Sequence, residues 1–220
     1  MHSQNTTELE LSDQDRFLSV HDLDCFRDDR KLFTGLNFSL KSGQALFIEG
    51  RNGSGKTSLI RILTGLRQPE SGKVQWCGVN ITKLGHEYCR QFVYVGHLNG
   101  VKENLTVIEN LKMGRALGQI SSGLSLQEAL DQVHLGHFED SMVHTLSAGQ
   151  RRRLALARMM VIGSPLWIMD EPFTALDKYG VELFERLLKT HTDNGGMAVM
   201  TSHHEMNLHD VDVQVLTIGK

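Results

Sequence analysis

Apolar and polar positions along the chain recur with two different periods, and the switches between them mark the elements. From Phe17 to Asp24, Phe17, Ser19, His21 and Leu23 alternate with Leu18, Val20 and Asp22, which predicts a partly buried strand. A second strand is predicted at Leu36–Leu40. The run QALFIEG, Gln44 to Gly50, is short, apolar and closed by glycine, the pattern of a strand buried on both faces of a parallel sheet. Leu59, Ile60, Leu63 and Leu66 then recur at helical spacing and predict a helix over Ser58–Leu66, before Pro69, Ser71 and Gly72 signal a turn. Two capping-box patterns, Thr106 with Glu109 and Ser125 with Glu128, predict that about 105–145 is helical. A helix over Ser147–Ile162, a strand at Leu166–Met169, a helix over Lys178–His191 and a strand at Met197–Thr201 complete the pattern. Strands alternating with helices predict an α/β fold. Residues 1–16 read as a polar tail, 17–220 as one domain, and about 98–160 as a helical subdomain inserted within it.

Composition narrows the classes. The 220 residues are 40% hydrophobic and 22% charged, as in globular chains that build their own core. A net charge of −3 excludes a general cationic field, so no nucleic-acid partner is expected. Apolar runs such as Ala45–Ile48 are far shorter than a membrane span. The polar, acidic start lacks the basic and apolar regions of a secretory signal, so the chain is expected in the cytoplasm. Cys25, Cys77 and Cys89 are odd in number and form no CxxC pair; small, reduced core residues are expected, not a disulfide framework or a zinc site.

The chemistry concentrates in three short segments. Gly50-Arg51-Asn52-Gly53-Ser54-Gly55-Lys56-Thr57 matches GxxxxGK[ST], and it lies between a predicted buried strand and a predicted helix that opens near Ser58. Glycines in that context let backbone N–H groups and a helix N-terminus face phosphate, while Lys56 brings charge to the β and γ phosphates and Thr57 offers an oxygen to Mg²⁺. Downstream, the apolar run before Asp170-Glu171 places two carboxylates at a strand end, Asp170 for the magnesium shell and Glu171 as candidate general base for an attacking water. Ser147-Ala148-Gly149-Gln150 then opens a helix with small residues and makes a second phosphate-binding end. The following Arg151 and Arg152 read as a solvated basic face.

Together these segments resemble the ATP-binding subunits of ABC transporters, whose signature LSGGQ stands here as Leu146-Ser147-Ala148-Gly149-Gln150. The resemblance covers about residues 17–218. It implies the P-loop NTPase fold of ABC ATPases: a mostly parallel sheet core with an N-terminal antiparallel β part and an inserted helical subdomain. It also implies a homodimer paired head to tail, in which each ATP lies between the phosphate loop of one copy and Ser147–Gln150 of the other. Ala148 departs from the family's glycine but keeps its backbone N–H. Thr174-Ala175-Leu176-Asp177 resembles the loop that couples the two sites, with Asp177 at its end. Thr201-Ser202-His203 resembles the switch histidine, with His203 preferred over His204 as the γ-phosphate contact. Arg153 and Arg158 match basic positions of the pattern. His97 stands where that family has a glutamine, so a ring nitrogen replaces an amide at the magnesium or water contact and brings pH sensitivity. Phe26-Arg27 stands where an aromatic stacks on adenine, and either side chain suits that role.

Within the family, the Cys25–Arg30 segment before LFTGLNFSL, GHLNGVK around His97, and WIMDEPFTALD resemble the haem-exporter subunits of bacterial cytochrome c maturation. That resemblance implies a peripheral subunit on the cytoplasmic side of the inner membrane. It would dock on integral membrane subunits of the CcmB and CcmC type through a groove near the His97 loop, and drive haem delivery without binding haem. His134 and His137 share a predicted helical face but read as a solvated surface pair. The alternative is an ATP-binding subunit of another small ABC transporter with a different substrate. A small-molecule kinase has no use for the 146–150 or 174–177 segments. A non-transport ABC ATPase needs an insertion or second domain that this length does not hold. A module that binds ATP but scarcely turns it over differs from a hydrolase in what Glu171 does.

Overall fold

The computed structural model describes residues 15–27, 30–96, 98–118, 123–201, 208 and 210–219. His97, His203, His204 and most of the N-terminal tail lie outside the described residues.

Two sheets sandwich one helix. Strand β1 (Phe17–Arg27) pairs antiparallel with β2 (Arg30–Lys41) and with β4 (Ser71–Trp76), and β5 (Val79–Asn80) extends β4, giving the order β2-β1-β4-β5. The second sheet, β6 (Phe92–Val95), β7 (Leu166–Met169), β8 (Met197–Thr201), β3 (Gln44–Glu49) and β9 (Asp212–Thr217), is parallel throughout and ordered β6-β7-β8-β3-β9. Helix α1 (Lys56–Leu63) packs Leu59, Ile60, Ile62 and Leu63 with Leu46, Ile48, Ile168 and Val199 of one face and with Leu18, Leu40 and Trp76 of the antiparallel sheet. The opposite face, through Phe47, Trp167, Met169 and Met200, packs with α6 (Ala148–Ile162) and α7 (Lys178–Asp193). Burial on both faces explains why β7 and β8 are uninterrupted apolar runs.

The helical insertion is shorter in regular structure than its capping pattern predicts. Both boxes form: Thr106 starts α4 (Val107–Leu117) and Ser125 starts α5 (Leu126–Gln132), each accepting from the Glu N–H three residues on while that Glu side chain bonds back. Beyond α5 the chain runs through two 3₁₀ turns, Gly136–Phe138 and Val143–Thr145, rather than continuing as helix. His134 sits at a positive φ of 53°, which ends the helix and removes the expected shared face with His137. Two short helices, α2 (Ile81–Leu84) and α3 (His86–Cys89), lie between β5 and β6.

Strand β1 departs from simple alternation. Leu18 and Val20 are buried, but so are Leu23 and Cys25, because the pairing slips between Val20 and Leu23 and Asp22 takes a φ of 46°. This bulge returns Leu23 to the core face, against the expected alternation. Asn37 of β2 secures it, accepting from the Asp22 N–H at 3.0 Å and donating to the Asp22 carboxylate at 2.9 Å. Of the cysteines, Cys25 is buried, Cys77 is half-buried and Cys89 is exposed; all three are free thiols, and only Cys25 matches the expected core role. Among the described residues no helix is long and apolar enough to cross a membrane.

Candidate functional site

The phosphate loop leaves β3 at Gly50 and re-enters helix at Lys56. Gly50 has a φ of 154°, and a Cβ there would sit 2.4 Å from the Ile218 carbonyl and 2.6 Å from Ser54 Oγ. Gly55 caps α1 at a φ of 106° with a would-be Cβ 3.1 Å from Leu32. Both positions therefore require glycine, one for close approach to the end of β9 and one for the turn into the helix. Lys56 is buried, and its ammonium donates to the loop carbonyls of Gly50 at 2.7 Å and Arg51 at 3.4 Å. Its three N–H bonds leave donor capacity for a phosphate.

A cleft of about 410 Å³ opens above the loop, lined by Asn52, Gly53, Gly55, Lys56, Thr57 and Ser58, with Arg27 on one side and Glu171 on the other. A second hollow of about 500 Å³ shares Asn52 and Gly53 and adds Arg30, Lys31, Arg51 and Ser54. Five cations around two adjoining hollows give the charge a polyphosphate needs. The two adenine candidates lie differently with respect to the cleft. Arg27 is exposed and lines the cleft, whereas Phe26 is half-buried and does not, its carbonyl accepting from Arg67.

The carboxylate pair sits at the end of β7. Asp170 is buried, and Thr201, the last residue of β8, donates its hydroxyl to Asp170 Oδ1 at 2.7 Å while accepting from the Glu171 N–H at 2.8 Å. One hydroxyl thereby aligns both acidic residues. Burial and the nearby Asp170 carboxylate push the Tyr94 phenol up. Glu171 has a φ of 52°, a left-handed conformation that costs a non-glycine residue roughly 1–3 kcal/mol and is common where geometry serves chemistry. Arg152 braces this turn, donating to the carbonyls of Glu171 and Pro172, each at 2.9 Å. The expected solvated face is thus half wrong: Arg151 stays partly exposed on the Leu146 carbonyl, but Arg152 is buried. Arg153 donates to the Val133 carbonyl, and burial lowers the pKa of Arg158.

Ser147, Ala148, Gly149 and Gln150 form the first turn of α6 and line neither hollow above the loop. Ser147 Oγ accepts from the Gln150 N–H at 3.2 Å, and Gln150 Oε1 accepts from the Ser147 N–H at 2.8 Å. Gly149 faces the Ala175 carbonyl, so this turn abuts the 174–177 segment. Asp177 caps α7, accepting from the Gly180 N–H at 2.8 Å.

Residues 33–174, which run from the start of the loop's packing partners through both carboxylates, match the family model described as ABC transporter. The chain belongs to the ABC transporter family. The ABC relatives include cytochrome c biogenesis ATP-binding export proteins named CcmA. Those of Nitrosospira multiformis and Methylococcus capsulatus are each 47% identical, over 90% and 87% of this chain and 96% and 93% of theirs. Among solved structures, an ATP-binding subunit of an ABC transporter superposes with a TM-score of 0.81 at 22% identity, covering 92% of this chain and 88% of its own. An ABC transporter ATP-binding protein of Pyrococcus furiosus gives 0.78 at 21% identity, covering 92% and 97%. Both share the ABC ATPase fold. This ABC subunit is an ATP-hydrolysing enzyme of the CcmA-like group.

Several residues of this ABC site carry no local signal in the sequence. Ile218 and Gly219 close on the loop from the far end of the chain, with the Ile218 N–H donating to Glu49 at 2.9 Å. Thr201 and Arg152 reach the acidic turn from β8 and α6. The nearest hint is the run of three arginines, which surface patterning alone cannot resolve into one buried and two half-buried.

Proposed function

We propose that the chain hydrolyses ATP at the cleft above its phosphate loop and so powers an export step of cytochrome c maturation. The observation that carries the chemistry is the convergence of Lys56 and Thr57 with Glu171, more than a hundred residues further along the chain, on one cleft. Backbone N–H groups of Gly50–Thr57 and the Lys56 ammonium hold the β and γ phosphates, with Ser58 at the same helix end. Arg27 stacks its guanidinium plane on the base. Thr57 and Asp170 are hard oxygen donors suited to Mg²⁺, an ion that keeps water and phosphate ligands. When bound, Mg²⁺ would neutralise charge on the phosphate oxygens. Glu171 accepts a proton from a water as its oxygen bonds the γ phosphorus. The bond from that phosphorus to the bridging oxygen breaks, and ADP and inorganic phosphate leave. His203 and His97 contact the γ phosphate and the magnesium shell in this reading.

Ser147–Gln150 lie outside the cleft, which supports their use in trans: a second copy, docked head to tail, presents this helix N-terminus to the ATP, with Asp177 near the junction. The relatives' names, cytochrome c biogenesis ATP-binding export protein, support an export step in cytochrome c maturation. In this reading the chain docks on integral membrane subunits of the CcmB and CcmC type, at the cytoplasmic side of the inner membrane, and drives haem delivery. The test is Lys56→Ala in the native organism, with membrane proteins stained for covalent haem and the subunit's level checked. Loss of c-type cytochromes with b-type haem proteins retained is expected. Unchanged haem attachment would assign the ATPase to a transporter of another substrate.

A further inference from the structure

We infer that the buried Arg152 guanidinium, itself held by Gly96 and Asn99, positions Glu171 for water activation. Arg152 projects from the second turn of α6 and is 2% exposed. Its Nε donates to the Pro172 carbonyl and one terminal nitrogen to the Glu171 carbonyl, both at 2.9 Å. The other terminal nitrogen donates to Asn99 Oδ1 at 2.9 Å and to the Gly96 carbonyl at 3.3 Å. All four hydrogen-bond acceptors are neutral oxygens, two on the acidic turn and two on the loop after β6. Burying a cation on neutral acceptors is costly, and burial lowers its pKa to about 10, opposed by Asp170. It remains charged at neutral pH.

The geometry matches what that cost maintains. Glu171 stands in a left-handed conformation that relaxes unless surrounding contacts hold it. The planar guanidinium reaches both segments at once, which the single ammonium of lysine does not. Any shift of Gly96 or Asn99 therefore pulls on the same group that fixes the Glu171 carbonyl. Arg152 does not line the cleft, so it acts on the carboxylate and not on nucleotide binding.

The proposal rests on the reading of Glu171 as general base, and the test separates the two. Steady-state ATPase kinetics of the full chain are compared for Arg152→Gln, Asn99→Ala, their double variant and Glu171→Gln. A misplacement near 1 Å costs on the order of a hundredfold in rate, so Arg152→Gln is expected to lower kcat by about 10- to 100-fold with KM for Mg-ATP within about twofold. Asn99→Ala, which loosens only the loop side, lowers kcat by about threefold, and the double variant is no slower than Arg152→Gln because both act through one contact. Native kcat in Arg152→Gln beside lost turnover in Glu171→Gln overturns the positioning role and leaves the base assignment standing. Native turnover in Glu171→Gln overturns both. A KM that rises in step with the fall in kcat shows support of nucleotide binding and also overturns the role. Should Arg152→Gln fail to fold, Asn99→Ala decides: native kcat there overturns the proposal.

Discussion

The phosphate loop and the acidic turn face each other across one cleft, yet they are built in opposite ways. The loop is nearly self-contained: six consecutive residues between β3 and α1 set its path, and Lys56 at the start of α1 bonds to carbonyls five and six residues back. The acidic turn is held from outside, by Thr201 thirty residues on and by Arg152 about twenty residues back. A local motif tolerates change elsewhere in the fold and fails when its own residues change. A turn held by remote groups fails when its neighbours move, which makes it the better place to couple hydrolysis to events at a distance.

That contrast can be broken at its local side first. Lys56→Ala removes the loop's own cation; turnover is expected to fall by roughly a hundredfold or more, read by phosphate release, with nucleotide affinity weakened in the same variant. Thr201→Val attacks the remote side. It strands the Glu171 N–H and removes the donor to Asp170 in a buried setting, so unfolding in urea should register a loss of about 2–3 kcal/mol and turnover a drop of about tenfold.

At the other end of β7, Trp167 stacks on His191 with ring centroids 3.9 Å apart and planes 9° from parallel, and the His191 ring bonds the Met197 carbonyl at 3.1 Å. Burial lowers the His191 pKa to about 4 from its ordinary 6.5. Because the folded value lies below the unfolded one, the unfolded chain binds the proton first. Stability is then present in full above about pH 6.5 and falls as the pH drops towards 4, by about 2 kcal/mol given the ring's residual solvent contact. Unfolding measured between pH 7 and 4 should show this slope flatten in His191→Gln. The smallest effect is reserved for a purely local device: Thr106→Ala breaks the α4 capping box for about 1 kcal/mol and leaves kcat unchanged.

The same division separates what reads from sequence from what does not. Strands β7 and β8 are legible to the residue, and the start of α6 to within one, Ser147 being its cap, because double-faced burial and a capping box leave contiguous patterns. Strand β2 begins at Arg30, six residues earlier than its pattern indicates, since its pairing with β1 passes through bulges that scramble the alternation. Strands β4, β6 and β9 leave no clear period, each only partly buried. Helix α1 stops at Leu63 although Leu66 continues the apolar spacing; Leu66 is 69% exposed.

By itself the sequence determined the glycine-rich turn from β3 into α1, the strand end at Asp170-Glu171, the helix-opening Ser147–Gln150 turn and the α/β class, because each depends on residues adjacent in the chain or on a short period. Tertiary structure alone decided that Arg27 and not Phe26 lines the cleft, that Thr201 bonds both the Asp170 carboxylate and the Glu171 N–H, and that one of three consecutive arginines is buried against the Glu171 carbonyl. Those outcomes depend on which strands become neighbours and on the phase of each bulge and helix turn, and such quantities are set by packing across the whole domain.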